Sequence, residues 1–155
     1  MARKAVIASS LSLVVLLATS AAARADSEKV VVQKSSSYGT YLSDDDGHAV
    51  YMFTADSKDM SACHAACAQA WPPMMSSGAP VAGTGVNSSL LGTLPRDGGM
   101  QVTYAGMPLY YFVGDKAAGT TAGQGIEHFG GKWYLVTPAG QKIDDDDAPK
   151  KTGTW

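Results

Sequence analysis

Three kinds of side chain in this sequence can do chemistry. The first is a thiol pair, Cys63 and Cys67, spaced C-x3-C in Cys63-His64-Ala65-Ala66-Cys67. The second is a set of imidazoles and thioethers: His48, His64 and His128 with Met52, Met60 and Met107, besides Met74, Met75 and Met100. Imidazole suits Cu(II) and thioether suits Cu(I), so copper, or a non-covalently held haem, is the cofactor class such ligands would serve. The third is an aromatic pair followed by a carboxylate, present twice as Tyr51, Phe53, Asp56 and Tyr110, Phe112, Asp115. Each carboxylate comes just after an aromatic strand pattern ends. That place suits accepting backbone N–H groups in a turn, or capping the next segment, better than acid–base catalysis.

Sharper readings of the thiols meet obstacles. Covalent haem attachment needs C-x-x-C-H, and thioredoxin-like exchange needs C-x-x-C at a helix start; here the spacer is one residue too long and the histidine lies inside it. Structural zinc wants four ligands and an unoxidised pair. Asp44-Asp45-Asp46-Gly47 opens like a calcium loop, yet its twelfth position is Ala55 rather than Glu. The stretch before Lys132 lacks the first glycine of a phosphate loop, since Ile126 stands there. No G-x-S-x-G is present. With no assembled catalytic set, the expectation is a protein that is not an enzyme and needs no cofactor, with copper or haem handling as the alternative.

The elements that must position these groups follow from the rest of the chain. Residues 1–25 carry Arg3 and Lys4, an apolar stretch and a closing Ala23-Arg24-Ala25, the layout of a cleaved export signal. No cysteine lies near that point to accept a lipid, so the expectation is a periplasmic or secreted bacterial protein without a membrane anchor. The 155 residues have a formal net charge of −2; removing Arg3, Lys4 and Arg24 leaves 9 basic against 14 acidic residues, a charge of −5. That excludes a nucleic-acid binder. Leu, Ile, Val and Phe number only 20 after residue 25, so tyrosine, tryptophan and methionine must fill the core.

The strongest organising signal is internal. Residues 47–56 align without a gap on residues 106–115 as G-x-[AP]-[VL]-Y-x-F-x-[AG]-D. Each copy follows a strand pattern, over 38–43 and 100–104, and a turn, Asp44-Asp45-Asp46-Gly47 or Ala105-Gly106. Strand, glycine turn, aromatic strand predicts a β-hairpin. Alternation places Tyr51 and Phe53 on one face with Val50 and Met52 on the other, and Tyr110 and Phe112 opposite Leu109 and Tyr111. Both faces are apolar, which predicts strands buried on two sides. An Ala-rich run over 61–71, with Ser57, Asp59 or Ser61 as N-cap and a Pro72-Pro73 stop, predicts a short helix. On a helix, positions four apart lie about 6 Å apart at Cα, within disulfide range. Export supplies an oxidising compartment, so Cys63 and Cys67 are expected to bridge, contributing about 2 kcal/mol. Residues 116–131 read as a loop and 132–137 as a strand.

The expected fold is mainly β, a small α+β domain: two tandem β-hairpin repeats plus one short helix carrying the C-x3-C disulfide. It would span residues 26–143, with repeats at about 38–75 and 90–143, and residues 144–155 as a disordered acidic and basic tail. The two Y-x-F-x-x-D boxes, the cysteine pair before Trp71-Pro72-Pro73, and Gln101, Tyr104, Gly106, Pro108 and Trp133 resemble bacterial exported proteins and lipoproteins that repeat a Y-x-(F/W/Y)-x-x-D motif. Two features depart from that pattern: the lipid-accepting cysteine is missing, and His64-Ala65 stands where Thr-Gly is common. The resemblance implies an envelope location and this architecture. The functional expectation is a non-catalytic binding or interaction module whose partner is an envelope protein or a small ligand.

Overall fold

The computed structural model describes residues 27–144. The export signal read over 1–25, and the tail read over 144–155 apart from Asp144, lie outside the described residues. The chain is mainly β: β1 (Lys29–Ser35), β2 (Gly39–Asp44), β3 (Tyr51–Phe53), a helix α1 (Ala66–Ala70), β4 (Met75–Ser76), β5 (Val81–Ala82), β6 (Leu91–Arg96), β7 (Gly99–Tyr104), β8 (Met107–Pro108), β9 (Glu127–His128) and β10 (Gly131–Leu135).

Each repeat begins with an antiparallel hairpin that the sequence patterns did not reveal. β1 pairs with β2 from Val30↔Asp44 to Ser35↔Gly39, and β6 pairs with β7 from Leu91↔Tyr104 to Arg96↔Gly99. The first repeat therefore starts before residue 38. The β2 and β7 strands then turn into the aromatic segments. Ser43 bridges Ala49 around the Asp45-Asp46-Gly47 turn, and Tyr104 pairs with Met107 across Ala105-Gly106. The shorter second turn removes one residue, so Asp44 corresponds to Tyr104 while His48 corresponds to Met107. Gly47 and Gly106 both adopt the left-handed region, at φ 90° and 81°, where a Cβ is strained.

Neither repeat completes its own sheet. β3 of the first repeat pairs with β10 at the end of the second, in the register Trp133↔Phe53 and Leu135↔Tyr51. In the mirrored place, Tyr110 bridges Pro73, Tyr111 N–H reaches Pro72 O at 2.8 Å, and Val113 N–H reaches Ala70 O at 3.1 Å. The repeats thus exchange their closing segments.

The alternation expected from the sequence places the two cores. Tyr51, Phe53, Tyr110, Trp71, Trp133, Leu135 and the disulfide form one buried cluster, with Phe112 packed on it. Val50, Met52, Leu109, Leu42, Val102, Met74 and Tyr104 form the other. Two element expectations need correction. The helix covers only residues 66–70, begins at Ala65 with φ 49° and has no side-chain cap. Its expected cap residues are bound elsewhere: Ser57 pairs with Met60 in a turn, Asp59 is left-handed, and Ser61 Oγ takes the Cys63 N–H. Cys63 accordingly precedes the helix and bridges to Cys67 inside it, at a Cα separation of 5.2 Å. Secondly, the 116–131 loop contains β9, which pairs with β10 through Gly131↔His128.

Candidate functional site

The two motif tyrosines meet back to back. Tyr51 N–H donates to Tyr110 O at 2.8 Å, and Tyr110 N–H donates to Tyr51 O at 3.0 Å. This reciprocal pair marks an approximate two-fold relation between the repeats. Side chains obey it as well. The Tyr51 hydroxyl donates to Asp115 Oδ2 at 2.6 Å, and the Tyr110 hydroxyl donates to Asp56 Oδ2 at 2.8 Å. Each tyrosine therefore uses the carboxylate of the other repeat. The second oxygen of each aspartate accepts a loop N–H, from Ala62 to Asp56 and from Ala122 to Asp115, both at 2.7 Å. Turn formation at these aspartates matches the backbone role read from the sequence; the exchange across repeats was not legible there.

Electrostatics hold this arrangement in one protonation pattern. Burial raises the Tyr51 phenol well above its usual range, reinforced by its hydrogen bond to, and the charge of, Asp115. Burial pushes Tyr110 up to about 12, with Asp56 adding to the rise against an opposing bond to Ser61. Burial also raises Asp56, opposed by the Ala62 N–H and Tyr110 O–H bonds. Both phenols consequently remain donors at neutral pH. Around Tyr110 the network extends further: its hydroxyl lies 2.7 Å from Ser61 Oγ, which the Arg96 guanidinium also reaches at 2.7 Å. Arg96 in addition donates to Gln101 Oε1 and Cys63 O.

Between the tyrosines runs a column of four rings. Phe53 stacks on Trp133 at 4.1 Å, Trp133 on Trp71 at 3.9 Å, and Trp71 on Phe112 at 4.3 Å. Tyr51 meets Trp71 edge-on at 5.4 Å, and Tyr110 meets Trp133 likewise at 5.2 Å. Each contact is worth about 0.5–1.5 kcal/mol beyond area burial. The pairing of Trp71 with Trp133 escaped the sequence reading. The available signal was that each lies a similar distance past its motif aspartate, 15 residues after Asp56 and 18 after Asp115. Gly123 is fixed by this packing, since a Cβ there would lie 2.8 Å from Tyr51 Cζ and 2.9 Å from the Trp71 ring.

The metal-ligand candidates are distributed. His48 is half-buried in the β2–β3 turn, with Nδ1 3.4 Å from Asp44 Oδ2. His64 is exposed, its Nε2 2.9 Å from Ser61 O, and shares a cavity of about 530 Å³ with Met60, the most exposed large apolar side chain among the described residues. His128 is exposed on β9 and stacks on Phe129. Met52 and Met107 belong to the second apolar cluster. Among the described residues no three His, Cys, Asp or Glu side chains are grouped to hold a metal ion.

A second cavity, of about 290 Å³, opens beside the motif of the second repeat. It is lined by Asp44, His48, Ala49, Tyr111, Phe112 and Asp115. Asp44 is buried, and its Oδ1 accepts the His48 N–H at 2.8 Å. The Tyr111 hydroxyl donates to Glu28 at 3.0 Å. Burial raises the Tyr111 phenol, and the carboxylates of Asp44 and Glu28 raise it further.

Comparison with known proteins agrees with the duplication. A family model described as a secreted repeat of unknown function matches residues 32–75 and again residues 93–137, more than half of the chain. Both matches begin within the first hairpin strands, β1 and β6. No curated protein and no solved structure matches. Among the described residues no helix is long and apolar enough to cross a membrane.

Proposed function

The chain belongs to this family of secreted repeats, and from that premise we propose that it is a non-catalytic binding module of the bacterial periplasm or exterior. On this reading the leader over residues 1–25 delivers it, and its partner is an envelope protein or a small ligand. One observation carries the reading. The motif residues spend their polar atoms on each other: both oxygens of Asp56 and both of Asp115 accept bonds from the fold, and both tyrosine hydroxyls are donors to them. Such carboxylates close the domain and offer no free base beside a nucleophile. The open cavities lie beside this framework, at the turns, where binding groups are commonly carried on a rigid scaffold. A panel of hydrolase and oxidoreductase substrates tests it with the purified exported chain. The expected result is no turnover; turnover lost on a single substitution such as Asp56→Asn, with the fold retained, would overturn the reading.

A second reading, metal or haem handling, draws on Met60 and His64 sharing one cavity. Elemental analysis and an absorbance spectrum of the purified chain decide between the two. Stoichiometric copper or iron lost on His64→Ala would favour the second; a metal-free chain that fails to take up Cu(I) would remove it.

A further inference from the structure

The duplication supplies an internal control for the 290 Å³ cavity. At the two-fold-related place Asp44, His48, Ala49 and Tyr111 are replaced by Tyr104, Met107, Pro108 and Met52, while Phe112 and Asp115 have their like in Phe53 and Asp56. Tyr104 and Met52 are buried in the second apolar cluster, Met107 packs against it, and Pro108 is buried beside them. The Asp44 side of this place is therefore apolar and packed in one half and acidic and open in the other, whereas both halves keep the motif carboxylate. The acidic version has an unusual charge balance. Asp44 and Asp115 line the cavity, and Glu28 stands behind Tyr111, whose hydroxyl it receives. Among the described residues, no lysine or arginine lies within ion-pair distance of any of the three; the one basic partner is His48, at 3.4 Å from Asp44. Asp44, at 7% exposure, takes the His48 N–H and a hydrogen bond from the Tyr111 phenol but has no lysine or arginine, whereas a carboxylate so buried is ordinarily paired with a cation.

The remaining walls suit an alkyl chain. Phe112 has one ring face covered by Trp71 at 4.3 Å and lines the cavity as well, and the Ala49 methyl stands beside it. Each carboxylate oxygen that already accepts one bond has a second lone pair to offer. A cavity of this size is at the lower end of small-molecule sites. We propose that this cavity binds a primary alkylammonium group, its three N–H donors on the Asp44 and Asp115 carboxylates and its alkyl stem against Phe112 and Ala49. The assignment rests on the binding-module reading and gives that module its ligand class. The aromatic wall adds attraction for the cationic head.

The test is an amide chemical-shift titration of the purified exported chain with n-butylammonium chloride and, separately, with Nα-acetyl-lysinamide. Tetramethylammonium chloride and sodium chloride at equal ionic strength serve as comparisons. Saturable shifts confined to residues 44–49 and 111–115 are expected with either amine, tighter for butylammonium if the natural ligand is a free amine and tighter for the lysine amide if it is a lysyl side chain. Asp44→Asn keeps an oxygen for the His48 N–H and should weaken binding at least tenfold. His48→Lys, at a half-exposed position, brings an ammonium of its own and should abolish binding. Absence of saturation with both amines, equal binding of tetramethylammonium, or unchanged affinity in both variants overturns the assignment. Those results leave the non-catalytic reading standing, because only turnover in the enzyme panel removes that.

Discussion

Replacing Tyr51 by Phe isolates the cross-repeat bond. The ring, fully buried and edge-on to Trp71 at 5.4 Å, keeps its packing, and only the hydroxyl is lost. That hydroxyl donates to a carboxylate at 2.6 Å and accepts the Gly123 N–H at 3.3 Å. A hydrogen bond to a charged group contributes about 1.5–3 kcal/mol, and a buried N–H left without an acceptor costs about 1 kcal/mol or more. Asp115 is half-exposed and keeps the Ala122 N–H, so water recovers part of the first loss. The expected destabilisation is therefore about 2–3 kcal/mol, a large share of the stability of a domain this size. Urea unfolding at neutral pH, followed by tryptophan fluorescence with the disulfide intact, measures it. A double-mutant cycle decides the geometry: Tyr51→Phe should couple to Asp115→Asn by about 1–2 kcal/mol and to Asp56→Asn by almost nothing. A loss below about 0.5 kcal/mol, or coupling within the repeat in place of coupling across it, would refute the exchanged arrangement.

Two further outcomes derive from the same network. Tyrosine titrates near 10 in an unfolded chain, whereas Tyr110 is held up to about 12 and Tyr51 and Tyr111 are also raised. Above pH 10 the unfolded chain loses phenolic protons that the folded chain keeps, so stability should be level between pH 8 and 10 and fall between pH 10 and 12, by about 1.4 kcal/mol per pH unit for each such tyrosine. Urea midpoints across pH 8–12 check this, and Tyr51→Phe with Tyr110→Phe should flatten the decline. Replacing both Cys63 and Cys67 by Ser opens a loop of about five residues and should cost about 2 kcal/mol in the same urea experiment. The far-UV spectrum of that variant should remain that of a β protein, since the bridge lies at one end of a five-residue helix and outside the sheets.

Periodicity made the aromatic segments legible. Tyr51 and Phe53 alternate with Val50 and Met52, and two burial clusters follow directly from that pattern. The first strands of each repeat were hidden for local reasons. β1 contains Val30, Val31 and Val32 in succession, which carries no period of two, and β6 contains Gly92 and Pro95, tolerated because it lies at a sheet edge. The helix is shorter than its alanine content predicts, because alanine favours helix only where nothing competes. Here Asp56, Ser61 and Arg96 bind the backbone of residues 62 and 63 and hold it outside the helix. The exchange of closing segments was illegible for a different reason: the strand pairings Phe53↔Trp133 and Tyr110↔Pro73 join residues far apart in sequence, and no local pattern encodes which repeat a strand will complete. The cavity lining combines a turn, Asp44 and His48, with a segment more than 60 residues later, so its acidic character could not be seen residue by residue.

A duplicated fold separates structural chemistry from chemistry free to vary. Where both halves carry the same groups in related places, as with Tyr51 and Tyr110 or Asp56 and Asp115, each tyrosine bonds the aspartate of the other half and the pairs close the domain. The repeated motif is then a folding device, and its recurrence is no sign of a catalytic pair. Function has to be sought where the halves differ. Cys63 corresponds in place to Gly123, so one half is stapled by a bond and the other by the close approach of a glycine to Tyr51 and Trp71. Asp44 and His48 stand where the other half has Tyr104 and Met107, and that replacement converts a packed apolar corner into an open acidic one. The ring column and the tyrosine–aspartate pairs are built from other residues, so this replacement at Asp44 and His48 leaves the closure of the domain unchanged.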